Sequence, residues 1–239
     1  MVHQGARERA LDYLLGDPLY YMSMIAPLRR NSIEILAVDD VGVMLRDELS
    51  GALMLISSNV TWGMRELSKI PRADLVLLHQ ASLIDFTCSR FGIDYVHTCL
   101  QAVFFHRHPL PLSSNLHCEE LHAAHFASIW KHYHTLVDRG YLLRRLEAGA
   151  LMGGFVGSEL VGFIGEHEEG SIGMLEVLPQ HRRNGYGSDL VAAMVNRQLN
   201  RGLIPFAQIT PGNEASLSLF GKLGFTVGSE QLYWLFNTV

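Results

Sequence analysis

The stretch LEVLPQHRRNGYG, which runs from Leu175 to Gly187, joins an apolar run to two arginines and two glycines. The apolar run from Ile172 to Leu178 predicts a strand, and the residues after Gly187 predict an amphipathic helix. A glycine loop between a strand and a helix exposes backbone N–H groups, and the first helical turn adds the positive end of its dipole. This geometry binds phosphate. Taken alone, the loop fits a basic surface turn equally well.

The loop differs from two common nucleotide-binding motifs. It lacks the GKS or GKT sequence of a P-loop, and the third glycine of a dinucleotide-binding fingerprint would fall at Leu190. Gly185 and Gly187 allow the backbone to approach a pyrophosphate, while Arg182 and Arg183 add positive charge. The residues after the loop predict helix, strand, helix and strand, so this half of the chain is α/β with a crossover connection.

Two motifs in this region resemble the signatures of the GNAT superfamily of N-acyltransferases. The first signature is Val-x-Pro at the end of a strand, followed by Arg or Gln, two residues, Gly, one residue and Gly or Ala. The second is Asn-x-x-Ser-x-x-Leu-Tyr-x-Lys-x-Gly-Phe. The matching residues are Val177, Pro179, Arg182, Gly185 and Gly187, then Asn213, Ser216, Leu219, Lys222, Gly224 and Phe225. The resemblance covers residues 115–239.

The resemblance implies an α/β (α+β) GNAT fold, in which helices flank a mixed and largely antiparallel sheet. The segment from His106 to Asn115 is rich in Pro and Ser and lacks periodicity, so it predicts a linker. We therefore divide the chain into an N-terminal α/β domain, residues 1–108, and a GNAT acyl-CoA-binding catalytic domain, residues 109–239. The first half repeats the order of elements of the second, which indicates a degenerate GNAT-like copy without a basic glycine loop.

Periodicity predicts further elements outside the motifs. Helices are expected from Trp62 to Lys69, from Asp74 to Arg90 and from Glu119 to Arg139, the last as one helix or a pair. A strand is expected from Tyr95 to Phe105.

The resemblance also implies an acyl-CoA site around the loop. The loop amides would hold the coenzyme pyrophosphate, and the pantetheine arm would lie where the strand Leu175–Leu178 separates from the strand Ile204–Thr210. A backbone N–H near Val177 or Leu178 would stabilise the oxyanion of a tetrahedral intermediate. The predicted acyl-CoA contacts are Val177, Leu178, Arg182, Arg183, Asn184, Gly185, Tyr186, Gly187, Ser188, Asn213, Ser216 and Phe220.

Glu176 is the candidate general base, because it lies on the strand that would carry the acyl group. A primary amine has a pKa near that of lysine, about 10, so it must lose a proton before it attacks the thioester. An ordinary salt bridge is an equally compatible interpretation of Glu176. Glu166 and His167 are the reserve candidates.

The usual general acid of the family is missing. The family protonates the departing thiolate with a Tyr after the motif's Leu, and this sequence has Phe220 there. A coenzyme thiol has a pKa close to that of cysteine, about 8.5, so its thiolate can leave without an acid. The candidates to replace the Tyr are Ser216, Ser218, Tyr186 and Tyr233, of which we assign Ser216 as catalytic.

Histidines raise a metal hypothesis that we do not favour. His122 and His125 with Glu119, and separately His106 with His108, have spacings that can bring two ligands together. Spacing fixes no third and fourth ligand, and exposed helix histidines are the commoner explanation. No metal is predicted.

Composition limits the partners. The chain has 239 residues, 48% of them apolar, and a net charge of −5, which argues against nonspecific binding to nucleic acid. No apolar stretch approaches the ~20 residues that span a bilayer, and no secretory signal is recognised, so we expect a cytoplasmic protein without a membrane partner.

These features predict an N-acetyltransferase. It would transfer an acetyl or other short acyl group from coenzyme A, the acyl-donor substrate, to a primary amine of a small molecule by direct attack, without a covalent enzyme intermediate. The alternative is a noncatalytic acyl-CoA-binding sensor or interaction protein. Dimers are common among such enzymes, so a homodimer is expected as a further association.

Overall fold

The computed structural model describes residues 2–113, 115–133 and 138–237, with the side chains of residues 2–4 left aside. The helices are α1 (Val2–Leu14), α2 (Met22–Arg30), α3 (Val60–Ser68), α4 (Ile84–Phe91), α5 (Phe126–Trp130), α6 (Arg139–Glu147), α7 (Tyr186–Asn200) and α8 (Glu214–Lys222). The strands are β1 (Ile33–Asp39), β2 (Gly42–Asp47), β3 (Leu53–Ser57), β4 (Leu75–Leu78), β5 (Tyr95–Val103), β6 (His117–Glu120), β7 (Leu151–Val156), β8 (Glu159–Glu166), β9 (Ile172–Val177), β10 (Phe206–Ile209) and β11 (Thr226–Phe236).

The chain forms two compact units. Unit 1 consists of Met1–Ala102, Ile209–Asn213 and Val227–Val239, and unit 2 consists of Val103–Gln208 and Glu214–Thr226. In unit 1 the strand order is β1-β2-β3-β4-β11-β5, and in unit 2 it is β10-β9-β8-β7-β6. The pairs β3–β4 and β9–β10 are parallel, and the pairs β1–β2, β2–β3, β4–β11, β6–β7, β7–β8 and β8–β9 are antiparallel. The predicted mixed, largely antiparallel architecture with flanking helices is confirmed.

The two units repeat one order of elements. Unit 1 runs β1-β2-β3-α3-β4-α4, and unit 2 runs β7-β8-β9-α7-β10-α8, so each has three antiparallel strands, a helix, a parallel strand and a helix. Glycines in the left-handed region follow the predicted helix ends, with φ of 68° at Gly92 and 71° at Gly202.

The strand β11 lies in unit 1, although the boundary at residues 108 and 109 assigned it to the C-terminal domain. Tyr233 pairs with Leu78 and Leu235 with Val76, antiparallel to β4. Leu235 is fully buried in the core that surrounds Val76. The hydrophobic pattern marks β11 as a strand but does not encode which strands it lies between, because that choice depends on distant residues.

Two predicted helices are wrong in part. Residues Leu75–Leu78, which were predicted to be helical, form β4. A short apolar run bounded by polar residues is typical of a buried strand as well as of a helix, so the pattern does not separate the two. The expected helix from Glu119 to Arg139 begins only at Phe126, since His117–Glu120 form β6, which pairs with β7. Residues 134–137, including Val137 of that predicted helix, lie outside the described residues.

The predicted linker is held against α7. Asn196 accepts the N–H of Leu110 at 2.7 Å and donates to its carbonyl at 2.9 Å. Asp189 accepts the N–H and the hydroxyl of Ser113 at 2.9 and 3.1 Å. Residue 114 is outside the described residues. Pro and Ser therefore mark irregular backbone here, while polar side chains of α7 fix its course.

Burial of His79 at the end of β4 predicts a pH-dependent stability. The ring packs edge-on against Tyr20 and Tyr21, and burial lowers its pKa from 6.5 to about 4. Between pH 6.5 and about pH 4, the unfolded chain therefore binds a proton on this ring and the folded chain does not. The stabilising contribution is complete above pH 6.5 and is lost as the pH falls towards 4.

We expect the free energy of unfolding in urea to fall between pH 7 and pH 4.5 by on the order of 2 kcal/mol more than in His79→Gln. Other titrating groups are common to both proteins, so the difference isolates His79. Equal losses in the two proteins would contradict the assignment.

Candidate active site

The basic glycine loop connects β9 to α7 in unit 2. Pro179–His181 form one short 3-10 turn after β9, and α7 begins at Tyr186. Gly185 is the N-cap of α7 with φ of 82°, a left-handed conformation that glycine adopts without steric strain. Arg183 also has a positive φ, 68°. The glycine at 185 thus allows the chain to turn directly from the strand end into the helix.

Five consecutive backbone amides are left open by this turn. Within the described residues, the N–H groups of Arg183 to Gly187 donate no recorded hydrogen bond, whereas Ser188 and Asp189 donate to the carbonyl of Gly185. The open amides begin in the loop and continue into the first turn of α7, where the helix dipole is positive. Asn184 turns its side-chain amide away, to the carbonyls of His181 and Arg182. The loop therefore presents N–H groups suited to an anion with several oxygens.

The strands β9 and β10 separate beside this loop. Their recorded register is one pair, Ala207 with Ile172, at the beginning of β9. Val177 at the other end of β9 faces Gly162 of β8, and the N–H of Leu178 donates to the carbonyl of Val161 at 2.9 Å. In an antiparallel ladder this makes Val177 and Gly162 a non-hydrogen-bonded pair, so the Val177 N–H points away from β8. The sequence predicted that a backbone N–H near Val177 or Leu178 stabilises the oxyanion. The Leu178 N–H is already bonded to the Val161 carbonyl, so the prediction is corrected to Val177 alone.

A β-bulge lies between the paired and the separated parts of β9. The register with β8 shifts between Phe163 and Gly165, and Met174 has φ of 51°. A non-glycine residue in this region costs of order 1–3 kcal/mol and occurs where neighbouring packing enforces it. Bulges re-aim the backbone next to active sites. Sequence reasoning missed this bulge, although glycines at 162 and 165 of the partner strand were an available signal.

Glu176 stands on the sheet face that packs against α5 and α6. It pairs with Phe163, so the two side chains share a face, and the ring of Tyr133 packs against Phe163 at 6.1 Å between centroids. Burial, with a further contribution from Glu176, raises the pKa of Tyr133 to about 12. Glu176 accepts a hydrogen bond from Arg182 Nη2 at 2.8 Å. The candidate base is thus held in an ion pair with a loop residue.

The second motif meets the first at Gly187. A Cβ at Gly187 would lie 3.6 Å from Val177 Cγ2 and 3.8 Å from Leu219 Cδ2, so the end of β9, the start of α7 and the helix α8 converge there. Ser216 is half-buried in the first half of α8, and the N–H of Asn213 donates to the carbonyl of Thr210.

Phe220 is part of the core of unit 2. Only 4% of the residue is exposed, and its ring lies edge-on to Phe225 at 4.9 Å between centroids. Phe225 in turn contacts Phe104 at 5.3 Å. The position that carries the family's Tyr is therefore filled here by an aromatic packing residue.

Comparisons with known proteins find chains of similar fold. Residues 151–235 match the family model described as FR47-like protein. The chain has 17% identity to a Drosophila protein of known structure, covering 96% of this chain and 95% of that chain with a TM-score of 0.71. A GNAT-family protein from Novosphingobium aromaticivorans has 14% identity, coverage of 97% and 98%, and a TM-score of 0.56.

A GCN5-related N-acetyltransferase from Kribbella flavida gives 14% identity, coverage of 92% and 96%, and a TM-score of 0.54. The chain has the GNAT fold. The resemblance predicted from the two motifs is thereby confirmed at the level of the fold. No curated protein matches the sequence.

The reserve bases lie at the other end of β9 in this GNAT fold. Glu166 pairs with Ile172 and accepts hydrogen bonds from Gln198 at 2.5 Å and Arg201 at 2.7 Å, so it is a buried structural partner of α7. His167 shares a hydrogen bond with the Tyr141 hydroxyl at 2.8 Å, and burial lowers its pKa. The structure does not bring either residue to Glu176.

The other candidate general acids lie in three different elements, Tyr186 in α7, Ser218 in α8 and Tyr233 in β11. Tyr186 begins α7 and is half-buried beside the open amides, while Ser218 is exposed on α8. Tyr233 belongs to β11 in unit 1, where its hydroxyl donates to Gln231 Oε1 at 3.3 Å.

In the part of unit 1 that the structure describes, neither separated parallel strands nor an uncapped helix N-terminus corresponds to those of unit 2. Its parallel strands pair through Leu53–Val76, Met54–Leu77 and Leu55–Leu78, so among the described residues no separation corresponds to that of β9 and β10. The N-terminus of α3 is capped by Asn59, whose side chain accepts the N–H of Trp62 at 3.0 Å. Unit 1 is consistent with the predicted degenerate copy.

The histidines make local contacts. His125 Nδ1 accepts the N–H of His122 at 3.1 Å, and His106 packs edge-on to Phe104. Across residues 2–113, 115–133 and 138–237, no three His, Cys, Asp or Glu side chains are grouped to hold a metal ion. None of the helices in those ranges is long and apolar enough to cross a membrane.

Proposed function

We propose that the chain is an acyl-CoA-dependent N-acyltransferase that transfers an acetyl or other short acyl group to a primary amine of a small molecule. The observation that carries the proposal is the run of open amides from Arg183 to Gly187 next to the separating strands β9 and β10. The open amides suit a pyrophosphate and the separated strand suits an extended pantetheine arm. A cytoplasmic location and a homodimer belong to this proposal as expectations.

The residues around the loop suit the donor. Arg182 and Arg183 supply positive charge, Gly185 and Gly187 allow close approach, and Tyr186 and Ser188 lie in the first turn of α7. Asn213 and Ser216 at the start of α8 are proposed to contact the pantetheine arm. The Val177 amide, which points away from β8, is the candidate donor to the thioester carbonyl.

Once acyl-CoA is held in this way, acyl transfer needs a base for the amine and a donor to the thioester oxygen. Glu176 accepts the amine proton, directly or through water, and the nitrogen forms a bond to the thioester carbon. The Val177 N–H stabilises the negative oxygen, and the carbon–sulfur bond then breaks. The coenzyme thiol has a pKa of about 8.5, so it leaves as the thiolate anion and then takes a proton from water. Turnover therefore does not need a general acid at the position of the buried Phe220.

Free thiol release tests the proposal. Incubation with acetyl-CoA and a panel of small primary amines should release CoA thiol faster than the amines do without protein, and the acylated amine should be detected by mass spectrometry. A panel covering amino acids, polyamines and aminated ring compounds addresses the acceptor class. Thermal melting with CoA separately tests donor binding.

A noncatalytic acyl-CoA-binding protein is the second candidate. Two observations favour it: Phe220 replaces the family's Tyr, and Glu176 is ion-paired with Arg182. This candidate predicts a rise of the melting temperature with CoA and no thiol release above the uncatalysed rate with any amine.

Restoring the family's Tyr provides a further prediction. We expect Phe220→Tyr to leave thiol release unimproved and to reduce the free energy of unfolding by about 1–3 kcal/mol, because the added hydroxyl enters an aromatic cluster. Phe225→Tyr, which places the same hydroxyl in the same cluster outside the Tyr position, is the matched control. A tenfold rise in turnover confined to Phe220→Tyr would show instead that position 220 reaches the thiol.

A further inference from the structure

Arg182 makes two contacts with the end of β9. Its Nη2 donates to Glu176 Oε1 at 2.8 Å, and its Nε donates to the carbonyl of Val177 at 3.0 Å. One guanidinium thus holds both the candidate base and the backbone next to the candidate oxyanion donor. Because guanidinium groups are planar forks, the two bonds fix the orientation of the side chain.

The same side chain is able to leave these partners. The Arg182 side chain is 57% exposed and that of Glu176 is 24% exposed, so their ion pair is partly solvated. Exposed and half-exposed ion pairs are weak, so a stronger anion can replace the carboxylate as the partner of Arg182. Arg182 directly precedes the five open amides, where a pyrophosphate would bring several negatively charged oxygens. Arginine binds phosphate oxygens with two parallel hydrogen bonds.

We propose that Arg182 is a positioning residue that holds Glu176 and the Val177 carbonyl in the free chain and releases both when the pyrophosphate of acyl-CoA binds. This inference rests on the proposed function. The Nε and Nη2 groups that contact Val177 and Glu176 form one edge of the guanidinium, and a pyrophosphate bound through this edge takes both N–H groups from those partners. Donor binding therefore unmasks Glu176, and an amine that reaches the free chain meets a carboxylate that is already paired.

Coupling between Arg182 and Glu176 in CoA affinity tests the inference. Calorimetric titration with CoA should show that Glu176→Gln binds about threefold more tightly than the unchanged chain, since Arg182 no longer gives up a charged partner. Arg182→Gln should bind about tenfold more weakly, because a charge-assisted bond to phosphate is lost. In the double variant, the substitution at Glu176 should have no further effect on affinity.

Glu159→Gln is the matched control for simple charge repulsion. Glu159 is an exposed carboxylate that contacts the same loop through His181, with Oε1 3.0 Å from Nε2. We expect CoA affinity within about twofold of the unchanged chain for this variant. In thiol-release assays, the loss in Arg182→Gln should fall on the KM for acyl-CoA more than on kcat.

Three results would overturn the inference. If Glu176→Gln binds CoA no more tightly, Arg182 is not held back by the carboxylate, while the proposed function stands. Equal tightening by Glu176→Gln with and without Arg182 would assign the effect to repulsion between carboxylate and phosphate. If the unchanged chain does not bind CoA, the proposed function fails and this inference fails with it.

Discussion

The Gly185→Val variant is expected to fold and to lose at least about 30-fold in affinity for CoA, equivalent to about 2 kcal/mol. Gly185 caps α7 with φ of 82°, where a β-branched side chain is strained. Relief of this strain rotates the backbone that presents the amides of residues 183–187. An anion held by several of these N–H groups then loses more than one charge-assisted hydrogen bond.

Gly202→Val is the matched control for this experiment. Gly202 follows the other end of α7 with φ of 71°, and at both glycines a Cβ would meet no atom within 4 Å. Both variants therefore carry similar backbone strain, and we expect similar losses in melting temperature. Calorimetric titration with CoA should separate them. If the two variants bind CoA alike, the loop between β9 and α7 is not the donor site.

The Glu176→Gln variant is expected to lower kcat by roughly 100-fold at neutral pH when acyl-CoA is saturating. Glutamine keeps the size of the side chain but cannot accept the amine proton. As the pH approaches the pKa of the amine, about 10, the acceptor increasingly arrives deprotonated and the deficit should shrink. Initial rates of thiol release measured across pH check both features.

Glu159→Gln removes a nearby carboxylate that does not stand on β9 and should leave the profile unchanged. An identical pH–rate profile for Glu176→Gln and the unchanged chain would exclude Glu176 as the base. Because the same variant is expected to bind CoA more tightly, a fall in kcat cannot be attributed to weaker donor binding.

Local signals accounted for the part of the site that could be predicted from sequence. The glycine loop and the start of α7 follow from residues adjacent in the chain, and the two motifs indicate the fold. Separation of β9 from β10 was also expected from the resemblance, and their register is limited to Ile172 and Ala207. The loop and the start of α7 depend on short-range geometry, which spacing encodes directly, whereas the strand separation was implied only by the resemblance.

The features missed from sequence depend on residues far apart in the chain. The run Leu75–Leu78 was assigned to a helix because four apolar residues carry too little periodicity to separate a buried strand from a helix. The bulge at Met174 is decided by packing against β8. The contact of Arg182 with Glu176 required the turn of the loop to be known, and sequence left the salt bridge and the base as equal interpretations.

The place of β11 also affects how the protein is made. Unit 1 contains β4 next to β11, yet β11 leaves the ribosome after every residue of unit 2. Chains usually fold one domain after another in the order of synthesis, and pairings between distant segments form slowly. The edge of β4 in unit 1 therefore stays unpaired until unit 2 has been synthesised. Nascent chains are therefore expected to need protection from aggregation until β11 has been synthesised.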